Sequence, residues 1–191
     1  GGGVLHLLEA QADALEAHVG ARLSVARVLV RDAGRSRSVP ADRLTTDPAA
    51  VLEDDTIDLF VEVIGGETAA KSFVEQALGR GKPVVTANKL LLAKHGARLF
   101  GLARERGVDL AFEAAIGGGI PIVRTLRDAM VSDRVVSLMG ILNGTSNYVL
   151  TRMLDDGVGM LEAVRDALDR VGAVVGVLDD ADERFTAGRS G

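Results

Sequence analysis

The fold is decided by one stretch, Pro83–Ala115, which reads "PVVTANKLLLAKHGARLFGLARERGVDLAFEAA". The short apolar strand "PVVT" runs into a helix that begins near Lys89 and ends at Gly107. A second apolar strand, "VDLAFEAA", follows. Because two strands joined through a helix of this length normally pair in parallel, the stretch predicts one βαβ unit.

The residues before this stretch continue the same alternation. "LSVARVLVRD" predicts a strand over Leu23–Arg31, "TIDLFVEVIGG" predicts a second strand, and "TAAKSFVEQALGRG" predicts a helix that ends in glycine. The opening "GGGVLHLLEAQADALEAHVG" has apolar residues at helical spacing and predicts a helix that stops at Gly20. The whole pattern predicts an α/β protein with a doubly wound parallel sheet.

The alternation changes after Ile120. "IPIVRTLRDAM" predicts a helix, "RVVSLMGIL" a strand, and "SNYVLTRML" and "MLEAVRDALDRVG" two further helices. Thr145 or Ser146 could cap the first of these two helices. We therefore expect a second, α+β domain to start near Gly117.

Composition excludes several classes of function. The 191-residue chain is 47% hydrophobic and carries a formal charge of −5, which argues against nonspecific nucleic-acid binding. The sequence contains no run of about 18 apolar residues, so no membrane span is expected. The absence of cysteine and the three scattered histidines make disulfides, thiolate chemistry and a zinc site unexpected, and they fit a cytoplasmic protein.

Two features suggest nucleotide binding. Gly1–Gly3 directly precede a helix, as the glycines of a dinucleotide-binding turn do, although a tag remnant or a frayed glycine end would read the same way. After the first strand, "VRD" offers Asp32, which would favour NAD, and Arg31, which would accommodate the NADP phosphate. We favour NADP through Arg31; an ordinary solvated pair is the alternative.

Three longer motifs carry a family resemblance. "VVTANKLLLAKHG", "FEAAIGGGIPIVRTLRD" and "GILNGTSNYVLTRM" occur in an order and at a spacing that closely resemble bacterial homoserine dehydrogenase, and "LTTDPAAVLEDDTIDLFVEVIGG" matches as well. The resemblance covers roughly Gly1–Gly172. That family reduces L-aspartate 4-semialdehyde to L-homoserine with NADPH or NADH, on the route to threonine, methionine and isoleucine.

The resemblance also implies a domain plan. Residues 1–116 would form a Rossmann-like NAD(P)-binding domain that lacks its first strand, because Gly1 and Gly3 match the last two glycines of the family's cofactor-binding turn. Residues 117–172 would form part of the catalytic domain, and residues 173–191 a divergent tail. The full-length family implies a homodimer.

Further residues receive cofactor or catalytic roles from the resemblance. Gly65 and Gly66 would pass beside the nicotinamide ribose, although a plain strand-to-helix turn would look identical in sequence. Thr86 and Ala87 would face the cofactor, and Lys89 would lie near nicotinamide and substrate. The position of Lys89 supports a functional role independently, since a cation gains nothing from the positive end of a helix dipole. Its ammonium group could attract cofactor phosphate or polarise the aldehyde; a solvated lysine is the alternative.

The glycine-rich loop "EAAIGGGIP" is expected to bind a monovalent cation, usually sodium in the family. The matching positions are Glu113, Ile116, Gly118 and Ile120, mostly through main-chain oxygens, which hard cations accept as ligands. A tight hinge without an ion is the alternative, and Glu113 disfavours an anion-binding nest.

Substrate contacts are implied in the second domain, at Asn143, Gly144 and Thr145. The match then fails: the end of the chain, "AVVGVLDDADERFTAGRSG", contains no lysine, so the family's acid/base lysine has no counterpart after Lys94. We assign no role to the acidic residues of this tail. The activity of the chain alone is therefore doubtful, and a noncatalytic remnant that binds nucleotide or a partner chain is the second hypothesis.

Overall fold

The protein is described by a computed structural model that covers residues 1–35, 37, 39–140 and 144–178. These residues form two compact units, the first running from Gly1 to Arg134 and the second beginning at Val135. In chain order, the regular elements of the first unit are α1 (Gly2–Ala10), α2 (Ala12–Val19), β1 (Val28–Leu29), β2 (Leu44–Thr45), α3 (Ala49–Leu52), β3 (Phe60–Glu62), α4 (Thr68–Gly79), β4 (Val84–Thr86), α5 (Lys89–Arg106), β5 (Leu110–Ala111) and α6 (Ile122–Arg124).

Shorter helical turns complete the first unit. They are 3₁₀ turns at Ala41–Arg43 and Glu113–Ala115, and a π-helical turn at Thr125–Ala129 that continues α6. The second unit contains α7 (Gly144–Asp155) and α8 (Met160–Leu178).

Every strand pair in the described structure is parallel. β1 pairs with β2, and β3, β4 and β5 form a separate sheet in that order, with Phe60 opposite Val84 and Val84 opposite Leu110. The predicted α/β fold with parallel strands is thus confirmed. In the doubly wound order 3-2-1-4-5-6, these two pieces correspond to the strands on either side of strand 1. Among the described residues, no strand joins the two sheets.

The core of the first unit lies between the three-stranded sheet and two helices. Val74 and Leu78 of α4 and Leu91 and Leu99 of α5 are completely buried there. Leu29 of β1 packs against the same cluster. Burying such aliphatic side chains stabilises the unit by roughly 1.5–3 kcal/mol each. Because the cluster includes residues of the strands and of both helices, it also holds the carboxyl ends of the strands in place.

The start of the chain departs from the prediction. The single opening helix is two helices, α1 and α2, separated at Gln11, and no residue of either helix is buried. The strand expected over Leu23–Arg31 forms only at Val28–Leu29, because only these residues pair with β2. Over residues 1–31, sequence periodicity predicted the element types correctly and their lengths wrongly.

The strand predicted from "RVVSLMGIL" is wrong over the described part of that segment. Residues 134–140 have no regular secondary structure, and residues 141 and 142 lie outside the described range. Val136 and Met139 are 90% and 93% exposed. A strand requires a neighbour to satisfy its main-chain groups, and no described segment pairs with this one.

The second unit is a helical hairpin. Val149 of α7 packs against Ala163 and Ala167 of α8. Arg152 joins the helices through an ion pair with Asp166 at 2.7 Å. α7 begins at Gly144, so Thr145 and Ser146 lie within its first turn rather than at the capping position expected from the sequence. No helix among the described residues is both long enough and apolar enough to cross a membrane.

Lys82 provides a stability test of the first unit. This lysine is only 7% exposed, and its Nζ donates hydrogen bonds to the main-chain oxygens of Asp54 at 2.7 Å and Ile57 at 2.8 Å. Lys82→Met would leave both oxygens without this donor. We expect the free energy of unfolding to fall by about 1–3 kcal/mol, measured by urea titration with circular dichroism.

Lys71→Met is the matched control for this substitution. Lys71 forms only a loose ion pair on the surface of α4, 3.5 Å from Glu75, so its loss should cost less than about 0.5 kcal/mol. Fluorescence of Tyr148, the single tyrosine in a chain without tryptophan, reports on the second unit separately. Equal losses in the two variants would contradict a role for buried Lys82 in stability.

Candidate functional site

The candidate cofactor residues of the first unit gather where parallel strands end. Gly65 and Gly66 follow β3 with φ angles of +73° and +71°, a left-handed conformation that a Cβ atom disfavours. Gly1, at the start of α1, lies beside Val63, since a Cβ atom at Gly1 would sit 3.9 Å from Val63 Cγ2. The glycine start and the glycine loop therefore approach the same edge of the sheet.

A buried carboxylate organises this edge. Glu62, the last residue of β3, is fully buried. Its Oε1 accepts hydrogen bonds from the main-chain N–H groups of Ile64 at 2.8 Å and Gly65 at 3.1 Å. Its Oε2 accepts a hydrogen bond from Thr86 Oγ1 at 2.5 Å. The side chain of Thr86 thus points into the protein, and its predicted contact with a cofactor would have to use main-chain atoms.

Asn88 connects the glycine loop to the start of α5. Its Nδ2 donates to the main-chain oxygen of Gly66 at 2.8 Å, and its Oδ1 accepts from the N–H of Leu91 at 3.0 Å, which caps the helix. Lys89 is the next residue and is exposed, and its ammonium group makes no hydrogen bond or ion pair with any residue in the described ranges. The arrangement leaves the ammonium group of Lys89 available to a ligand beside the loop.

Arg31 and Asp32 follow β1 and differ in their availability. The carboxylate of Asp32 accepts a hydrogen bond from the N–H of Gly34 at 2.8 Å, and its main-chain oxygen accepts from Arg37 at 2.6 Å. Arg31 is exposed and contacts no hydrogen-bonding partner among the described residues. Because Asp32 already closes its own turn, Arg31 is the freer of the two groups.

The carboxylate of Glu113 is engaged in a helix cap. Its two oxygens accept hydrogen bonds from the N–H groups of Val123 and Arg124, each at 2.9 Å. These are the unpaired donors at the start of α6, where a negative charge is favoured. Each carboxylate oxygen accepts only one hydrogen bond and keeps a further lone pair, so a cation held by this residue could use its carboxylate or its main-chain oxygen.

The main chain of the glycine-rich loop turns tightly. Gly117 and Gly118 have φ angles of +70° and +64°, and Ile120 is 63% exposed. The oxygens of Glu113 and Ile120 each accept one main-chain hydrogen bond, which leaves each a second lone pair. Within the described ranges no three His, Cys, Asp or Glu side chains cluster as metal ligands, so a cation here would depend on carbonyl oxygens.

Glu67 lies directly after the glycine loop and ties it to α5. Its carboxylate forms ion pairs with Lys94 at 2.5 Å and with His95 at 3.0 Å. The hydrogen bond from Lys94, followed by that from His95, lowers the pKa of Glu67. This surface pair reinforces the connection that Asn88 makes on the buried side.

The predicted substrate residues belong to the second unit. Gly144 and Thr145 begin α7 and are exposed. Asn143 lies outside the described residues. An open groove in the same unit is lined by Tyr148, Arg152, Asp166 and Asp169. Arg152 of this groove forms ion pairs with Asp156 and Asp166, and Gly144 is exposed to solvent.

Two organising residues were missed by sequence reasoning, Glu62 and Asn88. Each had a signal: Glu62 is a single carboxylate in the otherwise apolar run "LFVEVIGG", and Asn88 immediately precedes a helix, where an amide side chain is a favoured cap. A charged residue inside a buried strand requires partners, and this requirement could have directed attention to Glu62.

Two family models match the chain. The model described as homoserine dehydrogenase, NAD binding domain, matches residues 1–113, and the model described as homoserine dehydrogenase matches residues 121–174. The chain belongs to the homoserine dehydrogenase family. Members of this family are NAD(P)-dependent oxidoreductases, and the resemblance inferred from the sequence motifs is confirmed.

Similar proteins agree in sequence and in structure. The homoserine dehydrogenase of Bacillus subtilis is 41% identical over 171 residues, which cover 88% of this chain and 40% of that protein. A crystal structure of the Thiobacillus denitrificans enzyme superimposes with a TM-score of 0.79 at 41% identity, covering 90% of this chain and 40% of that chain.

A solved structure with a bound cofactor is also similar. A hyperthermophilic archaeal homoserine dehydrogenase in complex with NADPH matches with a TM-score of 0.56 at 27% identity, over 63% of this chain and 37% of that chain. The chain thus spans about 40% of the length of the first relatives it matches.

The ion pairs of Glu67 predict a pH dependence. Because its pKa is lowered in the folded protein, its contribution to stability is present above its usual value of 4.5 and is lost as the pH falls through the folded-state pKa. We expect wild type to have a higher melting temperature than Glu67→Gln above pH 4.5 and the difference to vanish at lower pH. Thermal melts followed by circular dichroism across this range measure it.

The control for this pH series is Glu105→Gln. Glu105 is an exposed carboxylate near the end of α5 without an ion pair to any described residue. Its substitution should leave the melting temperature nearly unchanged at every pH. A difference between wild type and Glu67→Gln that is independent of pH would count against the ion pairs as its cause.

Proposed function

We propose that this protein catalyses the NAD(P)H-dependent reduction of L-aspartate 4-semialdehyde to L-homoserine, in the biosynthesis of threonine, methionine and isoleucine. Family membership supports the reaction class. The observation that carries the proposal for this chain is the direct link from Gly66, through Asn88, to the start of the helix that presents Lys89. A glycine loop and a free ammonium group are thereby held together at the carboxyl edge of a parallel sheet, where α/β proteins bind ligands.

Cofactor binding is assigned to the first domain, which we take as residues 1–116. The cofactor residues are those predicted above, Gly1, Gly3, Arg31, Gly65, Gly66, Thr86, Ala87 and Lys89. The exposed N-terminus of α1 has the polarity that suits a pyrophosphate, because the first N–H groups of a helix lack partners. Arg31, free of described partners, supports a preference for NADP over NAD, although both cofactors are compatible with the site.

The chemistry assigned to this chain is binding and polarisation. The reduced nicotinamide, when bound, supplies the hydride. The Lys89 ammonium group would attract the developing negative charge of the aldehyde oxygen, a type of stabilisation that gains strength away from bulk water. Gly65 and Gly66, which lack side chains, permit a ligand to approach the main chain beside it.

The remaining assignments concern the second domain and the cellular context. We assign substrate contacts to Asn143, Gly144 and Thr145 in residues 117–172, and no role to residues 173–191. We further propose a cytoplasmic homodimer that binds neither nucleic acid nor membrane, in accord with the acidic, cysteine-free composition.

Titration with NADPH tests cofactor binding. We expect the purified chain to bind NADPH in isothermal titration calorimetry and Lys89→Met to weaken binding about tenfold or more, since a charged hydrogen-bond donor would be lost. Lys71→Met serves as the control and should bind as wild type does, because Lys71 is not among the proposed cofactor residues and pairs with Glu75 on α4. Equal affinities of Lys89→Met and wild type would contradict the role of Lys89.

Turnover distinguishes the two hypotheses of function. The same preparations are assayed for oxidation of NADPH in the presence of aspartate semialdehyde, with a full-length homoserine dehydrogenase as the reference. We expect binding with measurable turnover far below the reference, which supports an impaired enzyme. Binding without turnover supports the alternative, a noncatalytic remnant. Turnover comparable to the reference supports a complete catalytic role, and an absence of binding contradicts both.

We also propose that the loop from Glu113 to Ile120 holds a monovalent cation, with sodium as the expected ion. The donor set suits a hard cation, because it consists of main-chain oxygens of Glu113, Ile116, Gly118 and Ile120. Gly118 has a left-handed main-chain conformation that residues with a side chain rarely adopt. The ion would stabilise the loop between α6 and the preceding strand.

Cation binding predicts a sodium-dependent stability. We expect the melting temperature to be higher in sodium chloride than in choline chloride at equal ionic strength, and Gly118→Ala to remove this difference. Gly157→Ala is the matched control, because Gly157 has a similar φ of +67° in the second unit and a Cβ atom there meets nothing within 4 Å. If both variants keep the sodium effect, the loop is not the cation site.

A further inference from the structure

We propose that Glu62 is a positioning residue that couples the glycine loop to the start of the lysine-bearing helix, so that the two move as one element. The inference rests on the proposed function in assigning cofactor contacts to these segments, but the coupling itself is a property of the described structure. Its basis is the hydrogen-bond chain that runs from Gly65 through Glu62 and Thr86 to Asn88.

The chain of hydrogen bonds has a defined polarity. The N–H of Asn88 donates to Thr86 Oγ1 at 3.0 Å, and the same hydroxyl donates to Glu62 Oε2. On the other oxygen, the N–H groups of Ile64 and Gly65 donate to Glu62. The carboxylate accepts three hydrogen bonds in total, and the Thr86 hydroxyl can satisfy its neighbours only as donor on one side and acceptor on the other.

Burial makes each donor and acceptor of this network necessary. Glu62 and Thr86 are both 0% exposed, so water cannot replace a lost partner. No lysine, arginine or histidine of the described residues pairs with Glu62, which leaves hydrogen bonds as the stabilisation of its charge. A change at Thr86 should therefore reach the glycine loop, although Thr86 itself makes no hydrogen bond with that loop.

Amide hydrogen exchange measures the coupling in the chain without ligand. Wild type should protect the amides of Ile64, Gly65 and Asn88, whose acceptors are side chains of this network. Thr86→Val keeps the shape of the side chain and removes the hydroxyl. We expect it to increase exchange at Asn88 about tenfold and also at Ile64 and Gly65, with which Thr86 makes no hydrogen bond, while Thr86→Ser keeps protection at all three.

Two further variants separate coupling from general destabilisation. Leu78→Ala removes a buried side chain of α4 outside the network and should lower the melting temperature without selectively raising exchange at the glycine loop. Glu62→Gln keeps only one acceptor oxygen, so the hydrogen bonds of the glycine loop and of the Thr86 hydroxyl can no longer both be kept. Exchange should therefore rise in at least one of the two segments. Increased exchange confined to Asn88 in Thr86→Val, or the same pattern in Leu78→Ala, would overturn the inference.

A parallel NADPH titration keeps the two proposals distinguishable. If wild type binds NADPH, Glu62→Gln should weaken binding at least fivefold while Leu78→Ala, measured well below its melting temperature, binds as wild type does. Unchanged affinity in Glu62→Gln would refute positioning toward the cofactor. If wild type does not bind NADPH, the proposed function fails for this chain, and the exchange pattern still decides whether Glu62 couples the two segments.

Discussion

The buried carboxylate of Glu62 is the constraint on which the candidate site depends. A carboxylate removed from water is costly unless its charge is compensated, and here three hydrogen-bond donors supply the compensation. Those donors come from the loop after β3 and from the end of β4. These two segments must therefore keep fixed positions relative to each other for all three donors to reach Glu62. The positions of Gly65 and Lys89 follow from that arrangement.

The parallel sheet explains why such a constraint can serve ligand binding. Parallel strands end at the same edge, so the loops that follow β3 and β4 emerge side by side. Lys89 stands at the first position of α5, where the helix dipole disfavours a cation and where no described carboxylate offsets it. A lysine that gains nothing from its structural surroundings is better explained by an anionic or polarised ligand than by stability.

The alternation of strands and helices could be predicted from the sequence because each element has a local signal. The period of apolar residues in "PVVTANKLLL" and the glycine after "ARER" suffice to place β4 and α5. The hydrogen bond between Thr86 and Glu62 joins residues 24 positions apart, and no local pattern encodes it. The strand expected near Val136 failed for the same reason: alternating hydrophobicity indicates a capacity to pair, whereas pairing depends on a neighbouring strand elsewhere in the chain.

The central strand β4 is held at both ends by buried polar groups of opposite kind. Before the strand, the ammonium group of Lys82 donates to main-chain oxygens that precede β3. At its end, Thr86 donates to the carboxylate of Glu62. A shift of β4 by one residue would exchange its buried and half-buried faces and break both sets of contacts at once. The register of this three-residue strand is thus fixed by more than its few ladder hydrogen bonds, and the fixed register carries the residue that begins α5 to the edge of the site.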